Sequence, residues 1–305
     1  MGKIAFLFAG QGAQCPGMGR ELYENSPAAR QVFDKLEALR PGTLKQCFEG
    51  SPEELAQTVN TQPCLFAVDL AAAHAAQEKG IQPLLCAGFS LGETVAAAFT
   101  GMLSLEKAFT FVMRRAEWMQ ECAVKNPGFM AAVLRMDREQ VITLCKESSN
   151  IYPVNFNAPG QVAVAGDISQ KEAFLQAVAE HGGRALPLKV SGGFHSPLMA
   201  DAAKKLAGWL QNETLAAPIM PLYANRTGKP YDNDRAALLS QQVDHPVLWE
   251  DTIRNMATDG ADLFVELGPG TVLSGLVSKI LPGAAVCHIE DAKSLTEAVI
   301  LTQGR

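Results

Sequence analysis

The chain has 305 residues, 48% of them hydrophobic and 19% charged, with a net charge of −6. That length can bury a large core but is short for two full domains, and the interspersed charge excludes a basic face for nucleic acid. No apolar run approaches the ~18 residues of a spanning helix, so no membrane partner is expected.

The seven cysteines contain no C-x-x-C pair, the profile of reduced thiols in the cytoplasm and not of a disulfide frame or zinc site. At the N-terminus Phe6 stands where a myristoylation signal needs Ser or Thr, and the apolar stretch ends at Gly10, too soon for a signal peptide.

Residues 3–9 are almost wholly apolar, which predicts a buried parallel strand. Helical stretches are predicted over 18–39 and 64–78, the latter rich in Ala and Leu. Residues 83–87 predict a second strand, running straight into Gly88-Phe89-Ser90-Leu91-Gly92 and the helix-like stretch 93–99. A strand, then G-x-S-x-G, then a helix is the context of a nucleophile elbow: the glycines let the chain turn sharply and Ser90 projects from the sheet end. A purely structural strand-to-helix turn is the alternative. A further helix is predicted over 105–122. This alternation predicts an α/β fold with a mainly parallel sheet.

The middle of the chain behaves differently. Strand 129–134, helix 137–145, strands 151–156 and 161–165, helix 169–181 and strand 184–190 follow the order βαββαβ, the ferredoxin-like split unit. Residues 127–191 are therefore expected to form a small subdomain, inserted into a discontinuous large domain of residues 1–126 and 192–305, with the ligand cleft between them. Helices near 200–211 and 247–259 and strands at 219–224 and 262–266 complete the large part.

A nucleophilic serine needs a base, and there are five histidines. His74 lies in an Ala-rich helix, His181 precedes Gly182-Gly183 at a helix end, His288 sits in a predicted strand, and His245 precedes Pro246 in a turn. His195 follows Gly192-Gly193-Phe194 at the subdomain exit, which faces it toward the cleft and makes it the best-placed candidate. Near the start, Gly10-Gln11-Gly12 follows the first strand, but Cys15 stands where a dinucleotide fingerprint needs glycine. The better reading is a turn that presents a backbone N–H near Gln11 to the reacting centre. Arg114 and Arg115 lie ~100° apart on one helix, so one of them points inward. A buried guanidinium needs an anion, and a substrate carboxylate matches its planar fork.

Several stretches in order give the chain a resemblance to the malonyl-CoA:acyl-carrier-protein transacylases of fatty acid and polyketide synthesis. They are 8–14, Thr61-Gln62-Pro63, Gly88 to Glu93, Arg115 within 113–120, Asn157-Ala158-Pro159-Gly160-Gln161-Val162, Gly193-Phe194-His195-Ser196, Pro246-Val247-Leu248-Trp249 and Glu266-Leu267-Gly268-Pro269-Gly270. The resemblance implies a hydrolase-like core with an inserted ferredoxin-like subdomain, and an S-malonyltransferase that passes malonyl from coenzyme A to acyl carrier protein. It implies Ser90 as the acylated nucleophile, His195 as general base, the Gln242 backbone carbonyl as the group orienting that histidine, and the N–H groups of Gln11 and Leu91 as the oxyanion hole. Arg115 would pair with the malonyl carboxylate, with Phe194, Asn157 and Gln62 as further substrate-binding residues. No metal or other cofactor and no oligomer is implied.

Most members of the family carry histidine just before the nucleophile, and this chain has Phe89, expected to be a packing variant. Two rival readings share the fold: an acyl hydrolase that clears carrier proteins, and a non-catalytic carrier-binding scaffold. An acidic carrier would need a local basic patch, for which Arg114, Lys189 and Lys279 are the candidates.

Overall fold

The computed structural model describes residues 2–303. Among them, nine strands form two sheets. The strands are β1 (Lys3–Phe8), β2 (Leu85–Gly88), β3 (Gly128–Leu134), β4 (Ile151–Ala158), β5 (Gln161–Asp167), β6 (Arg184–Pro187), β7 (Leu222–Tyr223), β8 (Ala261–Leu267) and β9 (Ala285–Ile289). The larger sheet has the order β7-β2-β1-β8-β9, and every pairing in it is parallel. β1 lies at its centre with both faces covered. Phe6 and Phe8 pack in one core with the helix Thr58–Glu78, while Ala5 and Leu7 face a second core with Trp249, Ile253 and Leu276. A strand buried on both faces has no polar side, which is why its sequence is a run and not an alternation.

Helix boundaries follow the turn chemistry. The stretch 18–39 is two helices, Arg20–Asn25 and Pro27–Leu39, because Ser26 ends the first and caps the second: its Oγ accepts from Ala29 N at 3.1 Å, with Pro27 in the first turn. The helix expected over 64–78 begins at Thr58 and runs through Pro63. A proline there costs the bond to the Val59 carbonyl only one turn in from the helix start, and the Ala-rich remainder packs on the helices Pro27–Leu39 and Leu105–Lys125. The strand expected over 219–224 shrinks to two residues, since only Leu222 and Tyr223 find partners, on Cys86 and Ala87. Helices Thr43–Glu49, Arg235–Gln241, Val272–Ile280 and Ala292–Gln303 were not anticipated. No described helix is long and apolar enough to cross a membrane.

The second sheet is antiparallel, in the order β4-β5-β3-β6, which is the ferredoxin-like arrangement. Helices Arg138–Glu147 and Lys171–Glu180 cover one face over Phe129, Val133 and Val164, the second helix burying Phe174 and Val178 there. The first of them starts at a capping box between Asp137 and Gln140. Its edge strand β4 is joined to the rest of the chain by backbone bonds Phe156 N to Val247 O (2.9 Å) and Val247 N to Val154 O (2.8 Å). Arg138 stacks on Phe156 at 4.0 Å and donates to both carboxylate oxygens of Asp251. Met130, Ala132 and Ala163, from β3 and β5, look out on a cavity shared with the β1 and β2 ends of the parallel sheet.

Candidate active site

β2 ends at Gly88, and the chain reverses into the helix Leu91–Phe99 with Ser90 at its N-cap, φ 54° and ψ −104°. That conformation is costly for a serine, on the order of 1–3 kcal/mol, and has to be held by its surroundings. The flanking glycines allow the close approach: a Cβ on Gly88 would lie 1.9 Å from the Gly92 carbonyl carbon, and one on Gly92 would lie 2.2 Å from Phe8 O. Asn225 holds the turn from the other side. Its Oδ1 accepts from Ser90 N at 2.7 Å, and its Nδ2 donates to Gly88 O at 2.6 Å.

Ser90 Oγ lies 2.7 Å from His195 Nε2, and His195 Nδ1 lies 2.8 Å from the Gln242 carbonyl oxygen. A carbonyl only accepts, so Nδ1 carries the proton and Nε2 is left as the acceptor facing the serine hydroxyl. His195 itself has φ 60° and is anchored by its N–H on Val243 O at 2.9 Å. Burial pushes its pKa down to about 4, and the nearby Arg115 charge acts in the same direction. The imidazole is thus neutral through the physiological range. Since protonation removes the base, the acid limb of kcat/KM is expected far below the ordinary histidine value, near 4 and not 6.5. A pH profile of acyl transfer checks this, and a midpoint at 6.5 or above would contradict it.

Of the two adjacent arginines, Arg115 is the buried one, 1% exposed, whereas Arg114 is exposed and pairs with Glu117 at 2.9 Å. Arg115 Nη2 donates to Ser90 Oγ at 3.1 Å and to Gln242 Oε1 at 2.7 Å. Burial lowers its pKa to about 10 and Glu93 opposes this, so the guanidinium stays charged at neutral pH. Glu93 is buried in the first turn after the elbow. It accepts Asn225 N (3.1 Å), Tyr231 OH (2.5 Å) and Gln242 Nε2 (2.7 Å). Burial raises its pKa to about 7 against the lowering effect of these donors and of Arg115.

The cavity at the serine has a volume of about 260 Å³. Gly10, Gln11, Phe89, Ser90, Phe194 and His195 line one side, and Met130, Asn155, Asn157 and Leu188 line the other. Asn155 and Asn157 each carry a buried Oδ1 with no protein partner. The structure therefore brings Ser90, His195, Gln11, Phe194 and Asn157 to one space, with Arg115 and the Gln242 carbonyl directly behind Ser90 and His195. Leu91 opens the elbow helix, so its N–H belongs to the helix N-terminus beside Ser90. Gln62 is not brought to the cavity wall. It is fully buried, with Nε2 3.6 Å from Met119 Sδ and Oε1 unpartnered. The Phe89 ring lines the cavity and packs edge-on against Trp249, centroids 5.2 Å apart.

Asn225, Tyr231 and the role of Glu93 were not anticipated. Glu93 did leave a signal, as the only charged residue in a helix of nine residues. Asn225 and Tyr231 left none. Of the three basic candidates for a docking patch, Lys189 lies between the cavity-lining Leu188 and Val190, and Lys279 donates to the cavity-lining Gln161 at 2.9 Å.

A parallel α/β core with an antiparallel ferredoxin-like unit over an elbow serine is the arrangement of an acyl transferase, and the chain belongs to that family: residues 5–295 match the acyl transferase domain. Among curated relatives, the malonyl CoA-acyl carrier protein transacylase of Bacillus subtilis is 39% identical over 98% of this chain and 97% of its own length. That of Escherichia coli K12 is 34% identical over 99% of this chain and 100% of its own. The crystal structure of the transacylase of that name from Clostridium perfringens superposes with a TM-score of 0.95 at 35% identity, covering 99% of this chain and 98% of that one. A malonyl-transacylase in complex with a type II PKS acyl-carrier protein superposes with a TM-score of 0.93 at 34% identity, over 98% and 99% of the two chains.

Proposed function

We propose that the chain transfers malonyl from malonyl-CoA to the phosphopantetheine thiol of an acyl carrier protein, through a malonyl ester on Ser90. One observation carries the reading: Ser90 Oγ lies at once within hydrogen-bond reach of an unprotonated imidazole nitrogen and of a buried guanidinium, 2.7 and 3.1 Å away. The names of the relatives and the carrier-protein complex of one of them support the substrate and the partner.

In the first half-reaction His195 takes the Ser90 proton as Oγ attacks the thioester carbon. The oxyanion forms toward the N–H groups of Gln11 and Leu91, a type of contact worth about 3 kcal/mol per donor. Collapse breaks the C–S bond, and the coenzyme A sulfur leaves with the proton held by His195. In the second half-reaction the carrier thiol gives its proton to His195 and attacks the ester, and Ser90 recovers the proton as the acyl group departs. Arg115 meets the malonyl carboxylate, and the Phe194 ring crowds an α-methyl branch. A single methyl is worth only ~1–3 kcal/mol, so methylmalonyl is disfavoured but not excluded. A hydrolase of neutral acyl chains would have no use for the buried Arg115, and a scaffold none for the Ser90–His195 contact.

We read residues 127–191 as the small subdomain that supplies the outer cavity wall. The seven cysteines, with no C-x-x-C pair among them, fit work in the cytoplasm. Intact-mass measurement of the enzyme and a holo-carrier protein after addition of malonyl-CoA tests the reading. Malonyl is expected on the enzyme and then on the carrier, and neither adduct is expected with Ser90→Ala. Free malonate with an unloaded carrier would point to the hydrolase, and no adduct at all to the scaffold.

A further inference from the structure

We infer that Glu93 is a specificity-positioning residue, which acts through the side-chain amide of Gln242 to hold Arg115 where an acyl carboxylate must bind. The inference rests on the malonyl-transfer reading and adds a residue that touches neither substrate nor the reacting atoms.

The geometry is one of donors and acceptors. An amide side chain can be turned either way, and its neighbours choose. Gln242 Nε2 lies 2.7 Å from Glu93 Oε2 and 2.5 Å from the Ser90 carbonyl oxygen. The Ser90 carbonyl only accepts, and so does the Glu93 carboxylate in its ionised form, so the NH₂ end of the amide has to face them. Oε1 is then turned toward the helix Leu105–Lys125, where it accepts Arg115 Nη2 at 2.7 Å. That bond places the same nitrogen 3.1 Å from Ser90 Oγ. Glu93 is itself held on its other oxygen by Asn225 N and Tyr231 OH, so it cannot swing away. It is also the carboxylate that balances the buried Arg115 charge across the amide. Reversing the amide would leave Arg115 opposite an NH₂ group and turn an acceptor into a repelling donor.

Glu93→Gln keeps the size of the side chain but can present a donor to Gln242, which frees the amide to turn. The ratio of kcat/KM for malonyl-CoA over acetyl-CoA is the readout, since acetyl carries no carboxylate. Glu93→Gln is expected to lower that ratio about ten- to a hundredfold, mainly through the malonyl KM. The effect should also be non-additive with Arg115→Ala: in that background Glu93→Gln should leave the ratio nearly unchanged, because the group it positions is gone. Proportional loss for both substrates, or independent effects in the double variant, would overturn the proposal. Should Glu93→Gln not fold, Gln242→Met breaks the same link from the other end while keeping the backbone carbonyl that His195 needs. The same fall in the ratio is then expected, and an unchanged ratio overturns the proposal. Wild-type protein that fails to load malonyl onto a carrier would instead sink the parent reading, and this one with it.

Discussion

His195→Ala is expected to lower kcat for malonyl transfer by about 10⁴- to 10⁶-fold, the range seen when the base of a serine nucleophile is removed. The site contains no substitute. Among the described residues, the only other polar side chain on Ser90 Oγ is Arg115, which donates to it and cannot take a proton. Nor can a buried carboxylate step in, since Glu93 is separated from the serine hydroxyl by the Gln242 amide. Release of coenzyme A in a single turnover measures the effect on the first half-reaction. A rate within about a hundredfold of wild type would mean that another base exists. The same substitution has a sign in acid stability. A histidine held near 4 when folded and near 6.5 when unfolded lets the unfolded chain bind the extra proton between those values. Stability therefore falls as pH drops through that window, by about 3 kcal/mol from this group. His195→Ala should remove that part of the slope, so melting curves between pH 4 and 7 should steepen less in the variant.

Arg115→Ala is expected to cut kcat/KM for malonyl-CoA by about 10²- to 10³-fold, the scale for truncating one partner of a buried, hydrogen-bonded charge pair. Acetyl transfer should change by less than about tenfold, because its acyl group asks nothing of a guanidinium. Arg115→Lys should lie between, since it keeps the charge but not the planar fork. Parallel kinetics with the two thioesters decide it, and equal losses for both would show that Arg115 serves the serine and not the carboxylate. A second effect follows from Glu93. Its pKa is already raised to about 7 by burial, with Arg115 among the groups holding it down. Without that charge it rises further, and a buried acid with a raised pKa loses stability as pH rises through the folded value. Arg115→Ala should then lose more melting temperature at pH 8 than at pH 6.

The elbow was legible because its requirements are local. A short apolar strand, two glycines around a serine and a helix-forming stretch leave few alternatives, and the contacts at Gly88 and Gly92 show why no other residue fits there. The ferredoxin-like order was legible for a similar reason, as alternation and helical period are properties of a few consecutive residues. Where the reading of elements failed, long-range pairing was in charge. β7 keeps two residues because β2 offers it only two partners, and the helix through Pro63 persists because it packs on the helices Pro27–Leu39 and Leu105–Lys125.

By itself, then, the sequence determined the α/β class and the ferredoxin-like unit, and it marked Ser90 and His195, which the fold brings to 2.7 Å of each other. Tertiary structure alone decided that Gln62 stays off the cavity wall, and that Glu93, Asn225, Tyr231 and the side-chain amide of Gln242 close around Ser90. Asn225 lies 132 positions from Glu93, and Gln242 lies 152 from Ser90. No local pattern encodes such a meeting. Burial, which moves His195 to about 4 and Glu93 to about 7, exists only once the chain has closed over them.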